Sequence, residues 1–285
     1  MVSAMNRRSF MKAAGTVAAA TVAVSAASPA TSGEFTGQIK KAVKYDMIQG
    51  DFSVVEKFQL LKDIGFDGVE PSVREKVDPE EMLAASKATG LPIHGVVNGS
   101  TADLRAAVDR AKCYGASSVL VVAGRVNEEM SYADNYTATQ ATIREAIPYA
   151  EANQIMLLVE NVWNNFLLSP LEMARYIDEL ESEWVGVYFD VGNVVRFAWP
   201  EHWIPVLGKR IRKLDIKEYS RQKQNDEGLW KGFNVEIGEG SIDWTAVRRE
   251  LKKIGYSSWA TAEVGGGGRE RLEDIARRMN QVLDL

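Results

Sequence analysis

The sequence predicts a single (β/α)8 barrel of the TIM type behind an N-terminal export signal, and three observations predict it. Short β-branched or apolar runs alternate with longer segments of helical period, eight times along the chain. Beyond residue 30 about 255 residues remain, the usual length of one complete TIM barrel. No Pro/Ser-rich linker or low-complexity block interrupts 31–285, so nothing marks a second domain.

Residues 1–30 are of a different kind. Asn6-Arg7-Arg8-Ser9-Phe10-Met11-Lys12 is followed by an Ala/Val/Thr/Ser run to Ala30, and no acidic residue appears before Glu34. A basic start, a mildly apolar middle and small residues near a cleavage point form a signal-peptide pattern. The paired arginines ahead of Ser-Phe-Met-Lys resemble the twin-arginine (Tat) signal. The expectation is Tat export to a periplasmic or secreted location, with cleavage between Ala26 and Ala30. No later stretch approaches the roughly 18 uninterrupted apolar residues of a membrane span. Cys113 is the only cysteine, so no intramolecular disulfide can form. A net charge of −5 without Lys/Arg runs after the leader argues against nucleic acid as a partner, because a phosphate-backbone binder is normally basic.

The elements follow in order. Residues 43–48 read as the first strand, and apolar positions at 54, 55, 58, 60, 61 and 64 make a helix that Gly65 stops. Residues 68–73 form the second strand. A helix from Pro79 to Thr89 leads through Gly90 to a third strand over 92–97, and a helix from Thr101 to Tyr114 leads to a fourth over 118–123. A long helix over 137–153 precedes Ile155-Met156-Leu157-Leu158-Val159-Glu160, the continuous apolar run required of a strand buried on both faces. Ser169-Pro170 caps and opens a helix to about Leu180. Strand six covers 185–190, a shorter helix lies near Trp203, and strand seven covers 211–217. Asp243 caps a helix to Ile254 that Gly255 ends; strand eight is 259–263, and a closing helix runs from Arg269 to Leu285.

Four of these strands finish at or near an acidic residue: Glu160, Asp190, Asp215 and Glu263. Taken singly, each is equally a solvated charge at the start of a loop. In a barrel, however, the strand ends converge on the rim where barrel enzymes place their sites. Four carboxylates brought together repel and need a positive partner. A hard divalent cation with oxygen ligands is the simplest one.

These residues carry a specific resemblance, which spans residues 31–285. The stretch Gly65-Phe66-Asp67-Gly68-Val69-Glu70, Glu160-Asn161, Phe189-Asp190-Val191-Gly192-Asn193, Leu214-Asp215-Ile216-Lys217-Glu218-Tyr219, Gly238-Glu239-Gly240-Ser241-Ile242-Asp243-Trp244 and Glu263 are similar to the motifs of the xylose-isomerase-like barrel superfamily. Its sugar phosphate isomerase/epimerase and ketose 3-epimerase members are the nearest in pattern. The resemblance implies a metal held by Glu160, Asp190, Asp215 and Glu263, with Glu160 and Glu263 as catalytic proton carriers. It also implies substrate contacts from Asn193, Lys217 and Arg221. Two departures remove histidines: Asp215 and Asn193 stand where the family usually or often has His. Four carboxylates favour Mn²⁺ or Mg²⁺, with Ca²⁺ or Co²⁺ as further possibilities, over zinc. Lys217 and Arg221 are the expected offsets of the extra negative charge.

His94 is weighed evenly between a packed barrel histidine and a substrate contact. Trp163, Trp199, Trp203 and Trp230 follow strand ends, where they either stack on sugar faces or fill the core; Trp163 is the expected substrate contact. Gly265-Gly266-Gly267-Gly268 reads as a flexible rim loop passing close to ligand or metal. The function implied is a metal-dependent sugar isomerase or epimerase that abstracts a proton next to a carbonyl through a metal-bound enediolate. A 3-keto-glycoside lyase or hydrolase using the same site, or a non-catalytic sugar-binding barrel with a structural metal, are the alternatives. Export favours a free or oxidised sugar over a phosphorylated one, and family barrels often pair as homo-oligomers through rim loops.

Overall fold

The eight apolar runs become eight parallel strands in a computed structural model that describes residues 33–285; the predicted leader lies outside the described residues. The strands are β1 (Lys40–Lys44), β2 (Gly68–Glu70), β3 (Val96–Val97), β4 (Ser118–Val121), β5 (Met156–Glu160), β6 (Val185–Asp190), β7 (Ile211–Ile216) and β8 (Trp259–Ala262). Their order in the sheet is β2-β1-β8-β7-β6-β5-β4-β3. Isolated parallel bridges, Val69 to Ile93 and Ser72 to Val97, draw β2 and β3 together and nearly close the barrel. That seam is sparse because Pro71 and Pro92 lie in it and have no N–H to donate; both serve as acceptors, from Val97 N and Val69 N.

The helices are α1 (Val54–Ile64), α2 (Pro79–Thr89), α3 (Leu104–Tyr114), α4 (Tyr132–Ala152), α5 (Pro170–Asp178), α6 (Pro200–Leu207), α7 (Arg221–Glu227), α8 (Trp244–Ile254) and α9 (Arg269–Leu283). Among them no helix is long and apolar enough to cross a membrane. Ser53 and Glu56 form a capping box for α1, and Ser169 and Asp243 cap α5 and α8 as expected.

Several boundaries differ from those expected. Strand β1 starts three residues early, since Lys41 can sit in it with its amine donating to Asn280 Oδ1 at 2.6 Å. It ends at Lys44 because Tyr45–Met47 turns into a 3-10 helix. Helix α3 begins at Leu104, not Thr101, because Asp103 adopts the left-handed region. Helix α4 begins at Tyr132, five residues early, with the Ser131 hydroxyl accepting from Asp134 N. Helix α7 and the 3-10 helix Leu229–Phe233 were not anticipated. Two of the four glycines after β8 are tied down: Gly267 exchanges backbone hydrogen bonds with Met47 and Gln49, and a Cβ on Gly266 would meet Met47 O at 2.1 Å, so its missing side chain serves close approach of two backbones. Gly265 faces open space and lines a large opening at the rim, as a loop passing close to a ligand would.

The main apolar core lies between strands and helices. Inside the barrel the lining is divided. Leu120, Leu158 and Tyr188 form a small apolar cluster on one side. Lys44, Glu70, His94, Lys213 and Thr261, all buried, occupy the other. This polar half of the barrel interior lies beneath the rim where the carboxylates gather.

Candidate active site

The register of the strands fixes the site. Asp190 at the end of β6 pairs with Asp215 of β7, and Asp215 pairs with Thr261 of β8, so these residues share one layer at the C-terminal ends. Glu160 closes β5, and Glu263 follows β8 with its N–H donating to Ile216 O at 3.1 Å. Glu160, Asp190, Asp215 and Glu263 each present an oxygen within 4.8 Å of the others. Asp190 and Asp215 are fully buried, Glu160 nearly so, and Glu263 stands half-buried at the rim.

Two ammonium groups reach into the cluster. Lys217 Nζ bridges Asp190 Oδ2 at 2.9 Å and Glu263 Oε2 at 3.0 Å. Lys44 Nζ lies 2.9 Å from Asp215 Oδ1 and 2.6 Å from Glu70 Oε2. Lys217 was expected at the site; Lys44 and Glu70 were not. A chain of contacts continues downward from Glu70: Tyr188 OH donates to Glu70 Oε2 at 2.9 Å and lies 2.8 Å from Thr261 Oγ1. Thr261 Oγ1 lies 3.1 Å from His94 Nε2, and His94 Nδ1 lies 2.9 Å from Lys213 Nζ.

Burial and mutual repulsion set the electrostatics. Burial, reinforced by the Glu263 charge, pushes the Glu160 carboxyl well above the usual carboxylate range. Burial likewise raises Asp190 and Asp215, against the opposing pull of Lys217 and Lys44 respectively. Glu263 alone is held down: burial would raise it, but Lys217 and then Lys44 outweigh that. Burial pushes the Lys213 ammonium down to about 8. Four carboxylates and Glu70 thus share two strongly held positive charges, which leaves the cluster short of cations.

The donor set fits a hard divalent cation. Every candidate ligand is a carboxylate oxygen. Asp190 Oδ2 and Asp215 Oδ1 are buried and, among the described residues, accept no well-directed hydrogen bond beyond the ion pairs with Lys217 and Lys44. Their other oxygens are occupied: Asn193 N donates to Asp190 Oδ1 at 2.8 Å, and Lys44 lies 3.0 Å from Asp215 Oδ2. Asn161, not singled out beforehand, clamps the Asp190 backbone by accepting from its N and donating to its O, both at 2.8 Å.

Above the cluster opens a cavity of about 800 Å³ lined by Glu160, Glu263, Lys217, Asn193, Trp163, Trp230 and Phe233, among others. Trp163 Nε1 donates to Asn193 O at 2.8 Å, and its ring packs against Trp230 and Phe233 at centroid distances of 4.8 and 4.9 Å. Asn193 Nδ2 donates to Asn161 O at 3.0 Å and faces Glu160 Oε1 at 3.5 Å.

Two expected contacts are placed elsewhere. His94 lies in the barrel interior with its ring stacked on Trp259 at 4.3 Å and both ring nitrogens engaged, so it does not line the cavity. Arg221 spends its guanidinium on Val195 O and Ala198 O and stacks on Trp199 at 4.2 Å; it pins the loop before α6 and leaves charge compensation to Lys44 and Lys217. Trp203 is core, while Trp230 is 67% exposed on the cavity wall.

Residues 58–283 match the model of the xylose isomerase-like TIM barrel family. Among curated proteins, SgbU of Escherichia coli (strain K12) is 26% identical over 238 residues, covering 72% of this chain and 82% of its own. The L-ribulose-5-phosphate 3-epimerase UlaE of the same strain is 24% identical over 258 residues, covering 81% and 87%. Among solved structures, the E. coli 3-keto-D-glucoside 4-epimerase YcjR superposes with a TM-score of 0.70 at 16% identity, covering 86% of this chain and 98% of that one. D-allulose 3-epimerase from Methylomonas sp., in complex with D-allulose, superposes with a TM-score of 0.69 at 16% identity, covering 86% and 96%.

Proposed function

Because the chain belongs to the xylose isomerase-like TIM barrel family, we propose that it is a divalent-metal-dependent sugar isomerase or epimerase that moves a proton at the carbon beside a carbonyl. The observation that carries this reading is the set of four carboxyl groups within 4.8 Å at the floor of a cavity, with only two ammonium groups, Lys44 and Lys217, among them. Glu160, Asp190, Asp215 and Glu263 would hold the cation, which when bound supplies Lewis acidity that lowers the cost of enolising the substrate by several kcal/mol.

The chain's own residues divide the remaining work by position. Of the four carboxylates, only Glu160 and Glu263 line the cavity; Asp190 and Asp215 are shut beneath it. The two glutamates, on strand ends either side of Asp190 and Asp215, are therefore the groups that remove and return the proton. Asn193, held by Asn161 O and Asp190 Oδ1, and the ring of Trp163 orient the sugar. Trp163, Trp230 and Phe233 exclude water from one wall and offer flat faces to C–H groups. The named relatives UlaE and YcjR are both epimerases, which supports the reaction class for this chain.

The twin-arginine pattern of Arg7-Arg8 makes this an exported enzyme in our reading, so its substrate is a free or oxidised sugar. The cavity's size favours a second reading: about 800 Å³ is near the upper end of ligand sites, roughly 300–1,000 Å³, and leaves room beside a single sugar ring. The same enolising step on a 3-keto-glycoside would expel the group at the next carbon and make the protein a lyase.

The test is proton exchange in D2O with Mn²⁺ present, on free ketoses and 3-keto-glycosides, with products identified. Exchange is expected for the wild type, with a drop of about 10²-fold or more for Glu263→Gln and for Glu160→Gln. A protein that binds these sugars yet exchanges no proton is a binding barrel, and the enzymatic reading falls. Retention in the cytoplasm of an Arg7→Lys/Arg8→Lys variant, against export of the wild type, tests the location.

A further inference from the structure

We propose that the Lys217 ammonium and a divalent cation are alternative occupants of the same two carboxylates, so that a cation is fully held only once Lys217 has left Asp190 and Glu263. The proposal rests on the metal-dependent reading above and adds to it a competitor built into the chain.

The geometry leaves little room for both. Asp190 has one oxygen committed to Asn193 N at 2.8 Å, and its backbone is fixed on both sides by Asn161. Its other oxygen, Oδ2, faces Lys217 Nζ at 2.9 Å. The same ammonium lies 3.0 Å from Glu263 Oε2. A cation drawing on Asp190 Oδ2 at an ordinary ligand distance of about 2.0–2.6 Å would sit against that ammonium. Two positive charges so close, in a buried setting, repel strongly.

Lys217 also differs from the second lysine of the cluster in what surrounds it. Lys44 enters from below, is buried, and is engaged by Glu70 and Asp215 together. It has no open direction and stays when a cation arrives. Lys217 stands one residue past the end of β7, its side chain 18% exposed, and it lines the cavity. Its stem is seated against Gly192, where a Cβ would come within 2.5 Å of Lys217 Cβ, so the fold makes a place for this residue. Displaced from Asp190 and Glu263, its ammonium has the cavity as its open direction, where substrate oxygens lie. A cation arriving at the cluster would thereby turn Lys217 from a counter-ion into a substrate contact.

Calorimetric titration of the metal-stripped full-length chain with Mn²⁺ tests this on wild type and Lys217→Met. The variant is expected to bind at least about tenfold more tightly, because a positive charge beside two ligands has been removed. On wild type, acylation of Lys217 by an amine-reactive reagent, read by peptide mass spectrometry, is expected to rise on saturation with Mn²⁺. Equal or weaker affinity in Lys217→Met, or labelling that stays level or falls, overturns the competition and leaves the metal reading standing. If neither wild type nor Lys217→Met binds Mn²⁺, both readings are overturned. Should Lys217→Met fail to fold, the labelling of wild type decides alone.

Discussion

A buried ammonium between two carboxylates matters most through what its removal leaves behind. Burial alone would lower the Lys44 pKa, yet the charges of Asp215 and Glu70 outweigh it and raise the group above its ordinary value. Lys44→Met keeps the volume and strands both acids in the barrel, where a broken buried pair typically costs about 3–5 kcal/mol. Urea unfolding of the variant measures that loss, and Lys44→Met/Glu70→Gln is expected to recover part of it because one stranded charge is gone. A single variant as stable as wild type would mean that Lys44 does not neutralise the pair. The sequence shows why this residue is hard to find. Glu160, Asp190 and Glu263 each close a strand-like run and Asp215 stands one residue before the end of another, so their place at the rim is legible. Lys44 ends a strand whose only sequence-level mark is Ala42 and Val43 among lysines, and Glu70 precedes a proline. Their signal lies in parity, since Lys44 alternates with Val43 and so faces the barrel axis. His94 and Arg221 are the converse: their types suit substrate contact, and only the partners of their nitrogens reveal interior and loop roles.

At the scale of elements, the stretch from Gly238 to Trp244 exists to receive Glu218. That buried carboxylate accepts from Trp244 Nε1 at 2.8 Å and from the backbone N–H of Gly238 at 2.9 Å. Any side chain on Gly240 would collide with it. The contact ties the segment after β7 to the start of α8 across the rim. Trp244→Phe removes one donor to a buried charged acceptor and is expected to cost about 1.5–3 kcal/mol in urea unfolding, with Trp244→Tyr no better unless its hydroxyl reaches Glu218. A second tie joins α4 to α5: Glu179 accepts from Arg175 Nε at 2.6 Å and Tyr136 OH at 2.7 Å, and these hydrogen bonds hold it below the usual carboxylate range. A depressed carboxylate contributes stability that is present above its unfolded value and is lost as pH falls through its folded one. Glu179→Gln should therefore unfold more easily than wild type at neutral pH, with the two curves converging below about pH 4. A gap that persists in acid would assign the loss to packing. Apolar runs and Gly or Ser caps made nearly every element legible to within a few residues. Helix α7 and the 3-10 turn after it were not, because Arg221–Glu227 is polar all round and takes its order from Ser220 and Tyr219, contacts no periodicity reports.

For the whole molecule, the barrel has a strong half and a weak one. Strands β4 to β8 and β1 pair through ladders of four or more residue pairs, broken once by a register shift at Val187/Tyr188, whereas β2 and β3 meet through two isolated bridges whose acceptors are the carbonyls of Val69, Pro71, Pro92 and Val97. The carboxylate cluster belongs to β5, β6, β7 and the end of β8, so a cation bound there fastens the half that is already well paired. Mn²⁺ at a hundredfold excess over its Kd should stabilise the fold by about 2.7 kcal/mol. At about 2–4 °C per kcal/mol for a chain of this order of size, that is a rise of about 5–10 °C in Tm. Hydrogen exchange then tells which opening the cation resists. Amides of His94, Val97 and Val73 at the seam should exchange by local separation of β2 from β3 and gain little protection. Those of Val191 and Glu263, which bond across β6–β7 and β7–β8, should gain the full increment. Equal gains at both places would mean the barrel opens only as a unit, and no gain at either, with Mn²⁺, Mg²⁺ and Ca²⁺ all tried, would remove the cation from the site.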